Sequence, residues 1–251
     1  MYETTLQIAG VDLAWGERNG DGLCLVRASR PSADSWRAEV VESAHVFGDA
    51  ALLDWIETRL PSAAGPALLL FDAPVVCPNA TGSRPVDRQM TSLFGRFHAG
   101  PHPANAARCV RPLRLARELT ERRGAHAGWQ LGSAARLLVE VFPHPATIRF
   151  FGLDRIVKYK RGPVAARQGE FARLQGLLRE CLRTRFDPGE WVQTPALDAL
   201  LSAPWTKPAE DRLDALLCAL VGYHHWRHDG RRSEVLGDLE TGFILVPAAD
   251  G

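Results

Sequence analysis

Residues 6–16 read LQIAGVDLAWG and residues 67–74 read ALLLFDAP. The first stretch is apolar enough for a buried strand from Leu6 to Trp15, and it carries Asp12 near its end. The signals Asn19-Gly20 and Asp21-Gly22 predict a hairpin, with a second strand over Leu23 to Val26 returning beside the first. A third strand fits Ala38 to Val46. Asp49 is placed to cap a helix through Leu60, because Leu52, Leu53, Ile56 and Leu60 recur at helical spacing, and Pro61 with Gly65 stops it. The run Ala67 to Phe71 is short, apolar on both alternating sets, and suits a central strand covered on both faces. It stops at Asp72-Ala73-Pro74.

Working outward, residues 75 to 132 loosen into proline-rich loops and two helices, near Val86 to Phe97 and Pro112 to Arg123. This segment reads as a helical insertion after the Asp72 strand. Strand character resumes over Arg136 to Phe142 and stops at Pro143-His144-Pro145. Helices fit Val164 to Arg183 and Ala209 to Trp226, and residues 235–247, VLGDLETGFILVP, read as strand, turn and strand. The order predicts an α/β fold, a mixed sheet flanked by helices. Without an internal repeat or a low-complexity linker, residues 1–251 are read as one domain.

The net charge of +1 argues against a protein that coats nucleic acid by bulk electrostatics. Arginines gather locally, at Arg108, Arg111, Arg114, Arg117, Arg122 and Arg123, and Lys158, Lys160 and Arg161 form a second basic group; a solvated face accounts for either. The five cysteines, Cys24, Cys77, Cys109, Cys181 and Cys218, form no C-x-x-C pair, so neither a disulfide framework nor a zinc knuckle is expected. The opening MYETTLQIAG lacks a basic region followed by an apolar stretch, and no uncharged apolar run approaches the ~20 residues of a membrane span. The expectation is a cytoplasmic protein with no membrane partner.

Three predicted strands carry an acid at or near their ends: Asp12, Asp72 and Glu140. Ligand sites of open α/β sheets form outside the carboxyl ends of the strands, where such acids can converge. A carboxylate there is costly to desolvate unless it is paired, hydrogen-bonded or bound to a cation. A loop or helix cap explains any one of the three, less readily all of them. In the late helix, Asp211 and Asp214 share a face that Ala215, Cys218 and Gly222 continue with small side chains, so this face can lie close against the sheet. Acids in a first turn also suit the helix dipole with no other role.

The blocks GVDLAWG (10–16), FDAP (71–74) with PNATGSRPVDRQM (78–90), EVFPH (140–144), KYKRG (158–162), DRLDALLCAL (211–220) and GDLETGFILVP (237–247) together resemble the family of predicted ribonuclease H-like nucleases, domain of unknown function 429. The resemblance implies a ribonuclease H-like fold. Asp12 is then the acid of the first strand, Asp72 that of the fourth, Asp211 or Asp214 that of the last helix, with Glu140 a further candidate. It implies a nuclease or phosphodiester hydrolase in which two Mg2+ or Mn2+ ions, ~4 Å apart, share Asp12 and promote in-line attack of water on a phosphodiester, nucleic acid being the expected substrate. Hard cations prefer oxygen ligands, and every candidate ligand is a carboxylate. Lys158 and Lys160 are placed to hold a phosphate, and Arg84 to grip another in its planar fork, unless it pairs with Asp87.

His98, His102 and His144 are candidate proton shuttles, whereas His224, His225 and His228 suit the end of the last helix. No phosphate-binding G-x-x-x-x-G-K-[ST] loop, G-x-S-x-G elbow or H-E-x-x-H pair occurs. Two further readings stay open: a ribonuclease H-like scaffold that binds a nucleotide or partner without cutting, and an ATP-using relative of the sugar kinase and actin group.

Overall fold

The structure is a computed structural model that describes residues 4–61 and 65–249; the first three residues of the N-terminal stretch read above lie outside the described residues. The predicted hairpin forms from β1 (Thr4–Asp12) and β2 (Asp21–Ser32), and β3 (Ser35–Val46) extends it. Helix α1 (Asp49–Arg59) then leads to β4 (Ala67–Phe71). β1 is shorter than expected, ending at Asp12 rather than Trp15. The chain there turns into the hairpin loop, fixed when Asp21 accepts the Ala14 N–H at 2.9 Å and Arg111 donates to the Ala14 carbonyl at 2.6 Å.

Residues 75–132 supply α2 (Pro85–Phe94), a 3-10 turn over 95–97, α3 (Val110–Arg122) and the two-residue β5 (His126–Ala127). After β6 (Arg136–Glu140) comes α4 (Pro143–Phe151), where sequence punctuation suggested only a stop. Its prolines fall in the first turn, where a missing N–H interrupts no helical hydrogen bond. There follow α5 (Val164–Thr184), β7 (Trp191–Val192), α6 (Pro195–Ser202), α7 (Lys207–Arg227) and the hairpin β8 (Ser233–Asp238) and β9 (Gly242–Pro247).

Seven strands form one mixed sheet in the order β5-β6-β4-β1-β2-β3-β7, and only β2 runs against the rest. Alternating side chains of the central strands divide between two cores. Ile8, Leu68, Leu70 and Val139 pack under α4 to α7, while Ala9, Val11, Leu69, Phe71 and Leu138 pack under α1 and α3. The run that looked covered on both faces therefore is, and each fully buried Leu or Val there contributes roughly 1.5–3 kcal/mol. Helix α7 is buried all round from Leu213 to His225, which makes it the central helix of its layer. Thr206 caps it, accepting the Ala209 N–H at 3.2 Å. Among the described residues no helix is long and apolar enough to cross a membrane.

Helix α7 lies unusually close to the sheet because the strands present glycine where it crosses. A Cβ on Gly10 would overlap the Ala215 carbonyl, and one on Gly22 would overlap the Asp211 carbonyl. Gly10→Ala therefore forces backbone apart in the core and is expected to lower unfolding stability by about 3 kcal/mol. Gly16→Ala, where a Cβ meets nothing within 4 Å, is the neutral control in urea titrations of the two variants.

Candidate functional site

The site begins with the period of the sheet. Val11 pairs with Phe71 in the parallel β1–β4 ladder, and the Asp72 N–H donates to the Val11 carbonyl at 2.9 Å. Asp12 and Asp72 are thus neighbours one residue past that pair. Counting in twos, Asp12 continues the set of Ile8 and Asp72 the set of Leu68 and Leu70, so both carboxylates belong to the face that α7 covers. Glu140 pairs with Phe71. That register puts it on the opposite face, with Val11 and Leu138.

Asp214 comes to the first two acids from α7. It is fully buried; the Tyr159 hydroxyl donates to its Oδ1 at 2.5 Å, and the Lys160 ammonium lies 2.6 Å from its Oδ2. Val157 and Tyr159 are buried in the segment after α4, so the residues between and after them point the other way: Lys158 is exposed and Lys160 is half-buried against the acids. Asp211, one turn earlier, is turned aside. Its Oδ2 meets His45 at 3.1 Å and its Oδ1 meets Lys207 at 2.6 Å.

Glu140 sits in a separate, saturated cluster. Arg84 donates to it twice, at 2.7 and 2.6 Å, and the Val75 N–H donates at 3.1 Å. The same guanidinium donates twice to Asp87 and once to the Val76 carbonyl, so all five of its N–H groups are occupied. Arg84 is 1% exposed. Expected from sequence as a phosphate grip, it is instead the pin that ties α2 to the end of β6.

Asp12, Asp72, Glu140, His144 and Lys160 line a cleft of about 620 Å³, together with His98, His102, Lys158 and Arg161. The His144 ring packs at a tilt against Tyr159, with centroids 5.9 Å apart, and its Nδ1 is buried without a hydrogen-bond partner among the described residues. Burial, and then the charge of Lys160, push His144 down to about 4, so it is a neutral imidazole at ordinary pH.

The acids shift the other way. Burial raises Asp12 well above the usual carboxylate range; Lys160 opposes, and Asp214, Asp72 and Asp211 add to the rise. Burial likewise pushes Asp72 up to about 7, again against Lys160 and with Asp214 and Glu140 adding. Burial disfavours the Lys160 charge, but Asp214 foremost, with Asp12 and Asp72, outweighs it and holds the ammonium protonated. Of the five acids expected from sequence, then, Asp12, Asp72 and Asp214 come together. Asp211 flanks them, and Glu140 lies across the sheet.

Asp214, Asp211 and Glu140 have both oxygens engaged by protein groups. The Asp12 and Asp72 carboxylates have no hydrogen bond or ion pair within 4.0 Å among the described residues. Accordingly, among the described residues no group of three or more His, Cys, Asp or Glu side chains is arranged to hold a metal ion.

Two supporting features escaped sequence reasoning. Tyr159 lies between the two lysines noted above, and its burial follows only from the extended path of that segment. The Asp21–Arg111 pair, 2.6 and 2.8 Å, carries Arg111 on to Asp49 at 2.8 Å and holds the chain just beyond Asp12. Asp21 had been legible only as a turn residue and Arg111 as one of a basic run.

The sequence profile of DUF429, described as a protein of unknown function, matches residues 10–241. The chain belongs to the DUF429 family. The DUF429 match includes the central strands, the insertion and α7, and with them every acid and base of the cleft. No curated protein and no solved structure matches the chain.

The raised Asp72 value has a sign. Between the ordinary 3.8 and about 7, the folded protein keeps a proton that the unfolded chain has lost, so this residue's contribution to stability falls as pH rises through that window. In metal-free buffer Asp72→Asn is expected to unfold at the parental temperature near pH 4 and roughly 2–6 °C higher near pH 8. Thermal scans at the two pH values check it; a variant less stable than the parent at pH 8 would contradict it.

Proposed function

We propose that this protein is a ribonuclease H-like hydrolase of phosphodiester bonds that uses a divalent cation, Mg2+ or Mn2+, and acts on nucleic acid. The observation that carries the reading is the pair Asp12 and Asp72, two carboxylates with unengaged oxygens, side by side in a cleft beside Lys160. Three features of the fold support the ribonuclease H-like part. An antiparallel hairpin comes first, parallel strands are added beside β1, and acids stand at the ends of β1 and β4 and on the last long helix.

Asp12 and Asp72 offer only carboxylate oxygen, which suits a hard cation, and Mg2+ is commonly held by one or two carboxylates with water and substrate phosphate completing its shell. Two such ions are a poorer fit, because Asp211, Asp214 and Glu140 are engaged by protein groups. A divalent ion supplies Lewis acidity toward a phosphoryl oxygen and toward water. The chain's own residues do the rest. Asp12 and Asp72 must lose their shared surplus of protons to bind, so binding strengthens as pH rises through about 7. Lys158 and Arg161, both exposed at the cleft wall, attract and orient a phosphate by charge. His144, neutral and buried on one side, accepts a hydrogen bond or a proton from water in the cleft.

The ATP-using alternative expects a second lobe like the first. Among the described residues, the only other sheet is the two-stranded β8–β9 hairpin, and nothing specific favours it. The test is incubation of the protein with Mg2+ or Mn2+ and labelled single-stranded and duplex DNA and RNA. Cleavage is expected from the parent, with losses of at least about 100-fold in Asp12→Asn and Asp72→Asn. Parental rates in both variants would move the chemistry elsewhere, and binding without cleavage by the parent would support the scaffold reading.

A further inference from the structure

We infer that Lys160 is a built-in cation of the site: its ammonium stands where a second divalent ion would otherwise lie, so the carboxylate cluster takes one fewer ion than its acids suggest. This rests on the divalent-cation reading of Asp12 and Asp72 and deepens it.

Asp214 is fully buried. A carboxylate so placed must find a positive partner or take up a proton. Tyr159 satisfies only Oδ1. Oδ2 is buried, and among the described residues the positive charge directly on it is the Lys160 ammonium, 2.6 Å away.

The backbone that carries the lysine is anchored through its neighbour. Its neighbour Tyr159 is anchored by Asp214, by the His144 ring at 5.9 Å and by the Phe171 ring at 6.5 Å, and the Lys160 ammonium lies 5.8 Å from the Tyr159 ring centre. One positive charge thus lies directly on Asp214, and the Asp12 and Asp72 carboxylates keep oxygens without an ion pair among the described residues. Lys158, exposed and with no side-chain ion pair among the described residues, remains the mobile charge for substrate.

The lysine reading separates from a phosphate-gripping role by counting ions rather than by following activity. Mn2+ bound per protein is measured by electron paramagnetic resonance at neutral pH, without substrate, in the parent, Lys160→Met, Lys160→Gln and Lys160→Arg, each checked for fold by circular dichroism. Removing the charge exposes Asp214 Oδ2 to a competing cation, so the Met and Gln variants are expected to bind one more ion than the parent and the Arg variant the same number. Equal counts in the parent and in folded Met or Gln variants overturn the inference. Two ions in the parent overturn it as well, whether or not a variant folds, and leave the divalent-cation reading standing. No ion in the parent or any folded variant overturns both.

Discussion

Everything at the cleft depends on how near α7 can come to β1 and β2. A helix packed on side chains stands about 10 Å from a neighbouring layer, too far for short aspartates to reach across. Here β1 and β2 present Gly10 and Gly22 under the helix, and the helix answers with backbone at Ala215 and Asp211. The acids of α7 are thereby lowered to the rim where β1 and β4 end. Gly222 continues the same close seam further along, against Leu70 and Ile8.

That closeness creates an electrostatic problem with several local solutions. Five acids lie near one edge of the sheet, Asp211, Asp214 and Glu140 buried and Asp12 and Asp72 half-buried at the cleft, where an unpaired charge is costly. Asp211 pairs with Lys207 and contacts His45, Glu140 pairs with Arg84, and Asp214 pairs with Lys160 and accepts from Tyr159. Asp12 and Asp72 alone are left without a direct partner among the described residues, and the strain appears as their raised proton affinity. On the proposed reading a bound cation would relieve a repulsion already present in the folded chain.

Much of the frame was legible in the sequence because its signals are local. The Asn-Gly and Asp-Gly turns, the apolar runs at 6–11 and 67–71, and the small-residue face of DRLDALLCAL each state a geometry without reference to distant residues. Asp12 and Asp72 could be paired on that basis, since both simply end central strands. Glu140 could not be separated from them, because its face depends on the β4–β6 register, and a shift of one residue would have reversed it. Arg84 is a similar case. Its role is set by partners 3 and 56 residues away, and only tertiary structure shows that no donor is left over. Helix α4 was hidden by prolines that normally punctuate loops and here occupy a first turn.

The central claim is that Asp12 and Asp72 share one bound cation. Crystals grown with Mn2+ and measured at the manganese absorption edge test it most directly, since the anomalous signal locates the ion without regard to activity. A peak is expected within about 2.3 Å of a carboxylate oxygen of each of these two residues. Density only elsewhere, beside Asp211 or Glu140 for example, or none at saturating Mn2+ with both side chains ordered, would contradict it.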